Sequence, residues 1–164
     1  MDPTGAIQIL SLLILLLLSG FFSSAETAYT AANELGLKEE AENGKKQAVI
    51  ALKLLDNKSK LLSAILIFNN IVNLSASALT TTIAMKYLGS AYIALATGIL
   101  TFILLIVGEI TPKTIATVKS ETIALKYASV LYLVVKLLTP VIFIVDKFSR
   151  AFLKLFNVDP DAAR

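Results

Sequence analysis

The chain has 164 residues, of which 56% are hydrophobic and only 16% are charged, and its mean hydropathy of +0.76 excludes a water-soluble globular domain. It has no cysteine and no histidine, so sites for zinc, copper, nickel and iron–sulfur clusters are excluded, and any bound metal must be a hard, oxygen-seeking cation. The net charge of +3 comes from lysines scattered beside apolar runs, which excludes a nucleic-acid-binding patch and favours a basic membrane surface.

The first predicted element is a membrane-spanning helix over residues 4–32. No ionisable side chain occurs in residues 3–25, and this run exceeds the roughly 20 apolar residues that a helix needs to cross about 30 Å of hydrocarbon. A cleaved signal peptide is the alternative, because residues 23–25 are small. It is disfavoured because the start of the chain carries Asp2 but no lysine or arginine, and because the apolar core is too long.

Residues 33–59 are predicted to form a charged juxtamembrane hairpin of two short helices. Acidic and basic side chains are dense in this segment, on both sides of a turn at Asn43 and Gly44. In the second helix, Val49 and Leu52 give one face an apolar character that suits the membrane surface or a neighbouring helix.

Two further spans are predicted over residues 60–86 and 90–112. They are built on the long uncharged runs 61–85 and 87–108, and the connection between them is only long enough for a tight antiparallel hairpin. Six lysines lie in residues 33–60, ahead of the uncharged run of the second span, and more follow the third span, whereas the hairpin carries Lys86 alone. Because lysine and arginine accumulate in cytoplasmic connections, the amino terminus is expected outside and the carboxyl terminus in the cytoplasm.

Residues 120–156 are predicted to form amphipathic helices that lie on the membrane surface and bend at Pro140. The apolar stretches 127–135 and 137–145 are each too short to cross a bilayer alone. In a helical projection the basic residues of this region occupy less than half of the circumference: Lys119, Lys126, Lys136, Lys147, Arg150 and Lys154. The alternative is a fourth span in which Lys126 and Lys136 extend their amines to the interface.

Polar side chains form stripes on the first two spans. Ser19, Ser23 and Glu26 share one face of the first span, where Gly20 allows close approach of a neighbouring helix. Asn70 and Asn73 share one side of the second span, and their amide oxygens are good ligands for hard cations. Serine and asparagine also serve simply as hydrogen-bonding contacts between membrane helices, and Glu26 also suits the cytoplasmic end of a span.

The third span ends in a proline break with a carboxylate beside it. Pro112 has no amide hydrogen, so the carbonyl of Gly108 loses its helical donor next to Glu109. In hydrocarbon an unpaired carbonyl is tolerated only where it lines a cavity or is buried in protein. A bound cation would satisfy both oxygens.

The three spans therefore predict an all-oxygen, weakly charged cation site. Its candidate ligands are Ser19, Ser23, Asn70, Asn73, Gly108 and Glu109, with structural roles for Gly20, Glu26 and Pro112. Mg²⁺ takes about six oxygens and needs few carboxylates, whereas Ca²⁺ sites usually recruit more of them. The residues alone leave Mg²⁺, Ca²⁺ and Na⁺ open.

Three motifs, covering nearly the whole chain in the same order and spacing, resemble the CorC and cyclin M (CNNM) family: residues 19–28 (SGFFSSAETA), 69–73 (NNIVN) and 108–113 (GEITPK). The resemblance implies a homodimeric Mg²⁺ transporter domain of three membrane helices with a cytoplasmic belt of juxtamembrane helices, in which Mg²⁺ is exported in exchange for Na⁺. It also implies that Ser23, Asn70 and the Gly108–Glu109 pair hold the cation, with Ser19 and Asn73 around them.

The resemblance further implies how the protein is divided. Residues 1–157 are the expected transporter domain, in the plasma membrane of a prokaryotic-type cell, with membrane lipid, a second copy of the chain, Mg²⁺ and Na⁺ as its partners. Family members continue into a CBS pair that binds ATP, so residues 158–164 are expected to be a tail that leads to a cytoplasmic CBS region absent from this chain.

Two other classes of function compete with transport. A Mg²⁺-sensing membrane anchor would bind the ion and regulate attached cytoplasmic domains without moving it. An intramembrane enzyme is not expected, because the chain offers no histidine, no cysteine and no paired aspartates.

Overall fold

The computed structural model describes residues 2–162, so the predictions for Met1 and for the last two residues of the tail lie outside the described residues. This part of the chain contains helices and turns and no strand. The α-helices are α1 (Pro3–Ala31), α2 (Glu34–Glu42), α3 (Lys46–Asp56), α4 (Lys58–Tyr87), α5 (Ile93–Ile103), α6 (Thr111–Val118) and α7 (Ser120–Leu155). A short 3₁₀ turn at Ser90–Tyr92 precedes α5, and a π-helix at Leu104–Ile110 connects α5 to α6.

Four helical segments are long and apolar enough to cross a bilayer. They are α1, α4, the continuous segment Ser90–Val118 and α7. The predicted all-α membrane fold is therefore confirmed, while α7 is, by length and composition, a fourth candidate beside the three predicted spans. The predicted surface helices over residues 120–156 form one continuous helix that contains Pro140, since the loss of one backbone donor does not end a helix of 36 residues.

The start of α1 is joined to the end of α4 by a single carboxylate. Asp2 caps α1 by accepting a hydrogen bond from the Gly5 amide at 3.2 Å. It also accepts from the Lys86 amine at 2.7 Å and from the Tyr87 hydroxyl at 2.5 Å. The hydrogen bond from Lys86, followed by that from Tyr87, lowers the pKa of Asp2 to about 2. Asp2 therefore stays an anion to lower pH than an ordinary aspartate, and its hydrogen bonds keep the two helix ends together.

The buried core lies at the opposite end of these helices, where α1 ends and α4 begins. One cluster of buried side chains joins α1, α2, α3, α4 and α7, and its large members include Phe22, Tyr29, Leu37, Leu61, Ile65 and Leu131. The buried hydroxyl of Tyr29 donates to the carbonyl of Ala124 at 2.7 Å, which attaches α7 to the end of α1. The juxtamembrane helices are thus packed onto the spans as one body.

The connections contain glycines in conformations that other residues rarely adopt. Gly44, with a φ of 88°, lies in the turn between α2 and α3, and Gly89, with the same φ, lies in the tight hairpin between α4 and α5. At Gly89 the ψ angle is 164°, a combination that is essentially restricted to glycine.

We expect Gly89→Ala to destabilise the protein by about 1–3 kcal/mol, because the side chain would strain this backbone conformation. The matched control is Gly98→Ala within α5, where an added Cβ would meet nothing within 4 Å. The control should leave stability unchanged or raise it slightly, since alanine favours helix over glycine. Thermal unfolding in detergent micelles measures both, and a melting temperature of Gly89→Ala equal to that of the wild type would contradict the argument.

Candidate cation site

Three of the four candidate spans meet at a hydrogen bond between a buried serine and a partly buried asparagine. Ser19 of α1 is completely buried, and its hydroxyl donates to the Asn73 amide oxygen of α4 at 2.8 Å. On its other side Ser19 meets the π-helix, where a Cβ on Gly108 would lie only 2.8 Å from the Ser19 oxygen. The absence of a side chain at Gly108 therefore allows α1 to approach the third segment this closely.

The pairing of α1 with α4 is antiparallel along their whole length. Asp2 meets Lys86, Ser19 meets Asn73, and the rings of Phe22 and Phe68 stack with their centroids 4.9 Å apart. Rising numbers on α1 therefore face falling numbers on α4. One helical turn beyond the Ser19–Asn73 bond, this register brings Ser23 level with Asn69.

Ser23 and Asn69 present two buried oxygens without partners. The Ser23 hydroxyl and the Asn69 amide oxygen are both inaccessible and accept or donate no hydrogen bond within the described residues. A buried polar group left unpaired costs about 1–3 kcal/mol in a protein interior, so a bound partner for these two oxygens is expected here. A hard cation can be coordinated by both oxygens.

The proline break removes the helical donor from a second carbonyl, that of Val107. The Thr111 amide donates to the Ile106 carbonyl, five residues back, in the π-helix. The Val107 carbonyl would need the Thr111 amide in an α-helix and an amide at Pro112 in a π-helix. The first is already used and the second does not exist, so Val107 has no helical donor in either register.

The same reasoning applies to the predicted Gly108 carbonyl. Its α-helical donor would be Pro112, and only the five-residue register, with the amide of Lys113, provides a replacement. Gly20 of α1 lies directly against this break, because an added Cβ would lie 3.3 Å from both the Val107 oxygen and the Pro112 ring. The missing amide of Pro112 predicts the break from the sequence, whereas its extension to Val107 depends on the π-helix.

The carboxylates near the site are few. Glu26 pairs with Lys113 at 3.5 Å, and both side chains are partly exposed. Glu109 is partly buried and makes no ion pair within the described residues. No group of three His, Cys, Asp or Glu side chains comes together in residues 2–162. A cation at this position would therefore be held mainly by neutral oxygens.

The predicted ligands differ in where they lie. Ser19, Asn73 and Gly108 converge at the meeting of the three segments, and Ser23 lies one turn further along α1, whereas the Asn70 side chain is exposed on the surface of the single chain. Sequence reasoning did not select Asn69, although it lies four residues from Asn73 and so on the same face of α4.

Two other buried oxygens without partners in the described residues are not predicted by the sequence pattern. They belong to Gln8 and Thr80, on α1 and α4, nearer the end marked by Asp2. In the antiparallel register of the two helices these residues, too, are approximately level. No motif or spacing singles them out in the sequence.

A family model described as the cyclin M transmembrane N-terminal domain (CNNM) matches residues 10–164. A UPF0053 protein of Haemophilus influenzae is 39% identical over 150 residues, which are 92% of this chain and 36% of that protein. The UPF0053 inner membrane protein YfjD of Escherichia coli is 35% identical over 144 residues, covering 88% of this chain and 34% of its own length. This chain thus spans about a third of the relatives that it matches.

We expect the two buried serines to respond oppositely to removal of their hydroxyls in metal-free buffer. Ser19→Ala leaves the Asn73 oxygen unpaired and should lower stability by about 1–3 kcal/mol, whereas Ser23→Ala removes an unpaired hydroxyl and should leave stability unchanged or raise it. Thermal unfolding in detergent with a chelator measures this difference. Equal losses in the two variants would mean that Ser23 has a partner within the protein.

Proposed function

Because the chain belongs to the cyclin M (CNNM) transmembrane N-terminal domain family, we propose that it is the membrane domain of a Mg²⁺ transporter, which exports Mg²⁺ in exchange for entering Na⁺. One observation carries the proposal: the buried oxygens of Ser23 and Asn69 have no partner, and they lie one turn from the layer in which Ser19 and Gly20 pack against the proline-broken backbone. Such oxygens match the ligand preference of a hard divalent cation and offer nothing to a soft one.

The proposed ligand set combines the predicted residues with the one that the fold adds. Ser23 and Asn69 supply free oxygens, and Ser19 and Asn73 hold each other in place at the next turn. A backbone carbonyl of the π-helix and the carboxylate of Glu109 complete the set. With a single carboxylate, the site leaves part of the Mg²⁺ charge uncompensated, which favours release once the pathway opens.

Asn70 can still serve as a cation ligand if a second copy of the chain covers the side of α4 on which it lies. Its amide is exposed in the single chain, between the apolar and exposed Leu66, Ile71 and Leu74. An amide facing lipid is costly, so a homodimer that covers this side of α4 would give Asn70 a polar environment near the site. The homodimer would then rearrange to expose the cation to the opposite side of the membrane.

The contacts of α7 support three spans with a surface belt. Near its start, Ala124 accepts a hydrogen bond from Tyr29, close to the end of α1. Much further along, Arg150 lines a cleft with Asn57 and Ser59, at the beginning of α4. Both parts of α7 thus contact the same end of the bundle, as a helix lying along the membrane surface would and a helix crossing the bilayer would not.

The distribution of lysines supports the proposed orientation. The end of the bundle that carries α2, α3 and α7 is the lysine-rich end, which the positive-inside rule assigns to the cytoplasm. The Glu26–Lys113 pair lies on the cytoplasmic side of the candidate site in this orientation. Mg²⁺ approaching from the cytoplasm would pass this pair, and Na⁺ entering from outside would lower the barrier to Mg²⁺ release.

A Mg²⁺-sensing membrane anchor is the alternative function. It is favoured by the fact that about two thirds of the relatives' length lies outside the region that this chain matches, so that a sensor could act on other domains. Such an anchor would bind Mg²⁺ at the same oxygens without carrying it across the membrane.

We expect Mg²⁺ to raise the melting temperature of the wild type by roughly 5–10 °C at about 100 times the dissociation constant. Ser23→Ala and Glu109→Ala should lose most of this shift, because each removes a ligand. Ca²⁺ and Na⁺, titrated in the same buffer at matched ionic strength, test selectivity. An undiminished Mg²⁺ shift in both variants would remove the site from the proposal.

We expect Mg²⁺ flux in liposomes, driven with and without a Na⁺ gradient, to separate a transporter from an anchor. Ser23→Ala, Asn69→Ala and Asn70→Ala should each lower the flux at least about tenfold, since each removes a coordinating oxygen or its support. Ser75→Ala, an exposed position on the same helix, is the matched control and should transport normally. Wild-type flux from Asn70→Ala would refute its place in the site, and binding without flux in the wild type would favour the anchor.

A further inference from the structure

We propose that a cavity between α3, α4 and α7 binds the phosphate head group of an anionic phospholipid. Three lysines line this cavity of about 280 Å³, and each comes from a different helix: Lys53 from α3, Lys60 from α4 and Lys136 from α7. The residues are distant in the sequence and meet only in the fold. The proposal depends on insertion into a membrane and not on cation transport.

The positive charge of this cavity has no counterpart in the protein. None of the three lysines forms an ion pair within the described residues, whose ion pairs involve Lys45, Lys86 and Lys113 instead. No acidic side chain lines the cavity. Three ammonium groups around one space repel one another, and an anion between them would remove that repulsion.

The adjoining cleft shows that the basic character is local. This second space shares Asn57, Lys60 and Thr139 with the first, but it also contains Asp146 and Asp161 beside Arg150. Its charges are therefore mixed, and the site for an anion is confined to the end where the three lysines meet.

The first turn of α4 adds to the positive potential. Asn57, which also lines the cavity, caps this helix of 30 residues by accepting from the Lys60 amide at 3.2 Å. The amino-terminal end of a helix carries a partial positive charge from its aligned peptide dipoles. This contribution supports the lysines without being a site by itself.

The remaining wall of the cavity is apolar, which favours a lipid over a soluble phosphate. Leu54, Leu61, Tyr132 and Val135 line the same space as the lysines. Lys60 directly precedes the uncharged residues 61–85, so the cavity lies at the boundary between the hydrocarbon and the head groups. A basic pocket between helices at this depth matches the phosphate and the first acyl carbons of one anionic lipid.

Such a lipid would connect the surface belt to a span. Its phosphate would bridge α7 and α3 to the first residues of α4, the helix that contributes Asn69 and Asn73 to the candidate cation site. The anchored position of the belt would then depend on the lipid composition of the membrane.

The test uses native mass spectrometry of the purified chain in micelles containing either phosphatidylglycerol or phosphatidylcholine. Replacing all three lysines by glutamine (Lys53→Gln, Lys60→Gln and Lys136→Gln) should lower the affinity for phosphatidylglycerol at least tenfold, since each lysine beside the bound phosphate contributes about fivefold. Binding of phosphatidylcholine should not change.

The matched control makes the same change of charge away from the cavity. Lys119→Gln, Lys147→Gln and Lys154→Gln alter three exposed lysines and should change the affinity for phosphatidylglycerol less than twofold. Equal losses in the two triple variants would overturn the proposal, because the attraction would then come from net charge alone. Replacement of the cavity lysines by arginine should retain binding and serves if the glutamine variant does not fold.

Inorganic phosphate and glycerol 3-phosphate distinguish the lipid from a soluble ligand of the same chemistry. Neither should displace phosphatidylglycerol at millimolar concentration, because neither contacts the apolar wall. Displacement by either compound, with loss of that effect in the glutamine variant, would overturn the lipid proposal in favour of a soluble phosphate site.

Discussion

The missing amide of Pro112 is the constraint on which the packing of α1 and α4 against the segment Ser90–Val118 depends. The proline removes one amide donor, and because the π-helix before it uses the Thr111 amide for Ile106, the carbonyls of both Val107 and Gly108 lack an α-helical donor. Two small residues of α1 pack against this break. Gly20 lies against the break, and Ser19 occupies the space that Gly108 leaves open.

This close contact accounts for the polar layer between α1 and α4. Once Ser19 is held at the π-helix, its hydroxyl is in position to pair with Asn73, and the antiparallel register brings Ser23 and Asn69 to the next level. The resulting layer is rich in oxygen and poor in formal charge. These are the properties that suit a transient, weakly held divalent cation rather than a permanent structural metal.

The basic end of the bundle has a different organisation. Tyr29 attaches α7 to the end of α1, while α7 continues past the start of α4, where Lys136 joins lysines of α3 and α4. The same surface therefore combines a buried aromatic anchor with an uncompensated cluster of positive charge. One helix, α4, belongs to both regions. Its first residues line the basic cavity suited to anionic lipid, and its Asn69 and Asn73 lie at the candidate cation site.

By itself, the sequence determined the all-helical membrane class, the hairpins and the position of the backbone break. These follow from local properties: uninterrupted apolar runs of membrane-spanning length, glycines at turns, and the missing amide of Pro112. Helical spacing also placed Ser19 and Ser23 on one face correctly, because both belong to a single regular helix.

Only the tertiary structure decided which face of each helix packs against its neighbours. Neighbouring helix positions differ by about 100°, so the packing of α4 against α1 selects Asn69 and Asn73 for the interface and leaves Asn70 exposed, a choice that spacing alone does not make. The π-helix likewise changes the hydrogen-bonding register ahead of Pro112 and brings Val107 into the break. The meeting of Lys53, Lys60 and Lys136 depends on how three helices pack, and no local pattern in the sequence encodes that packing.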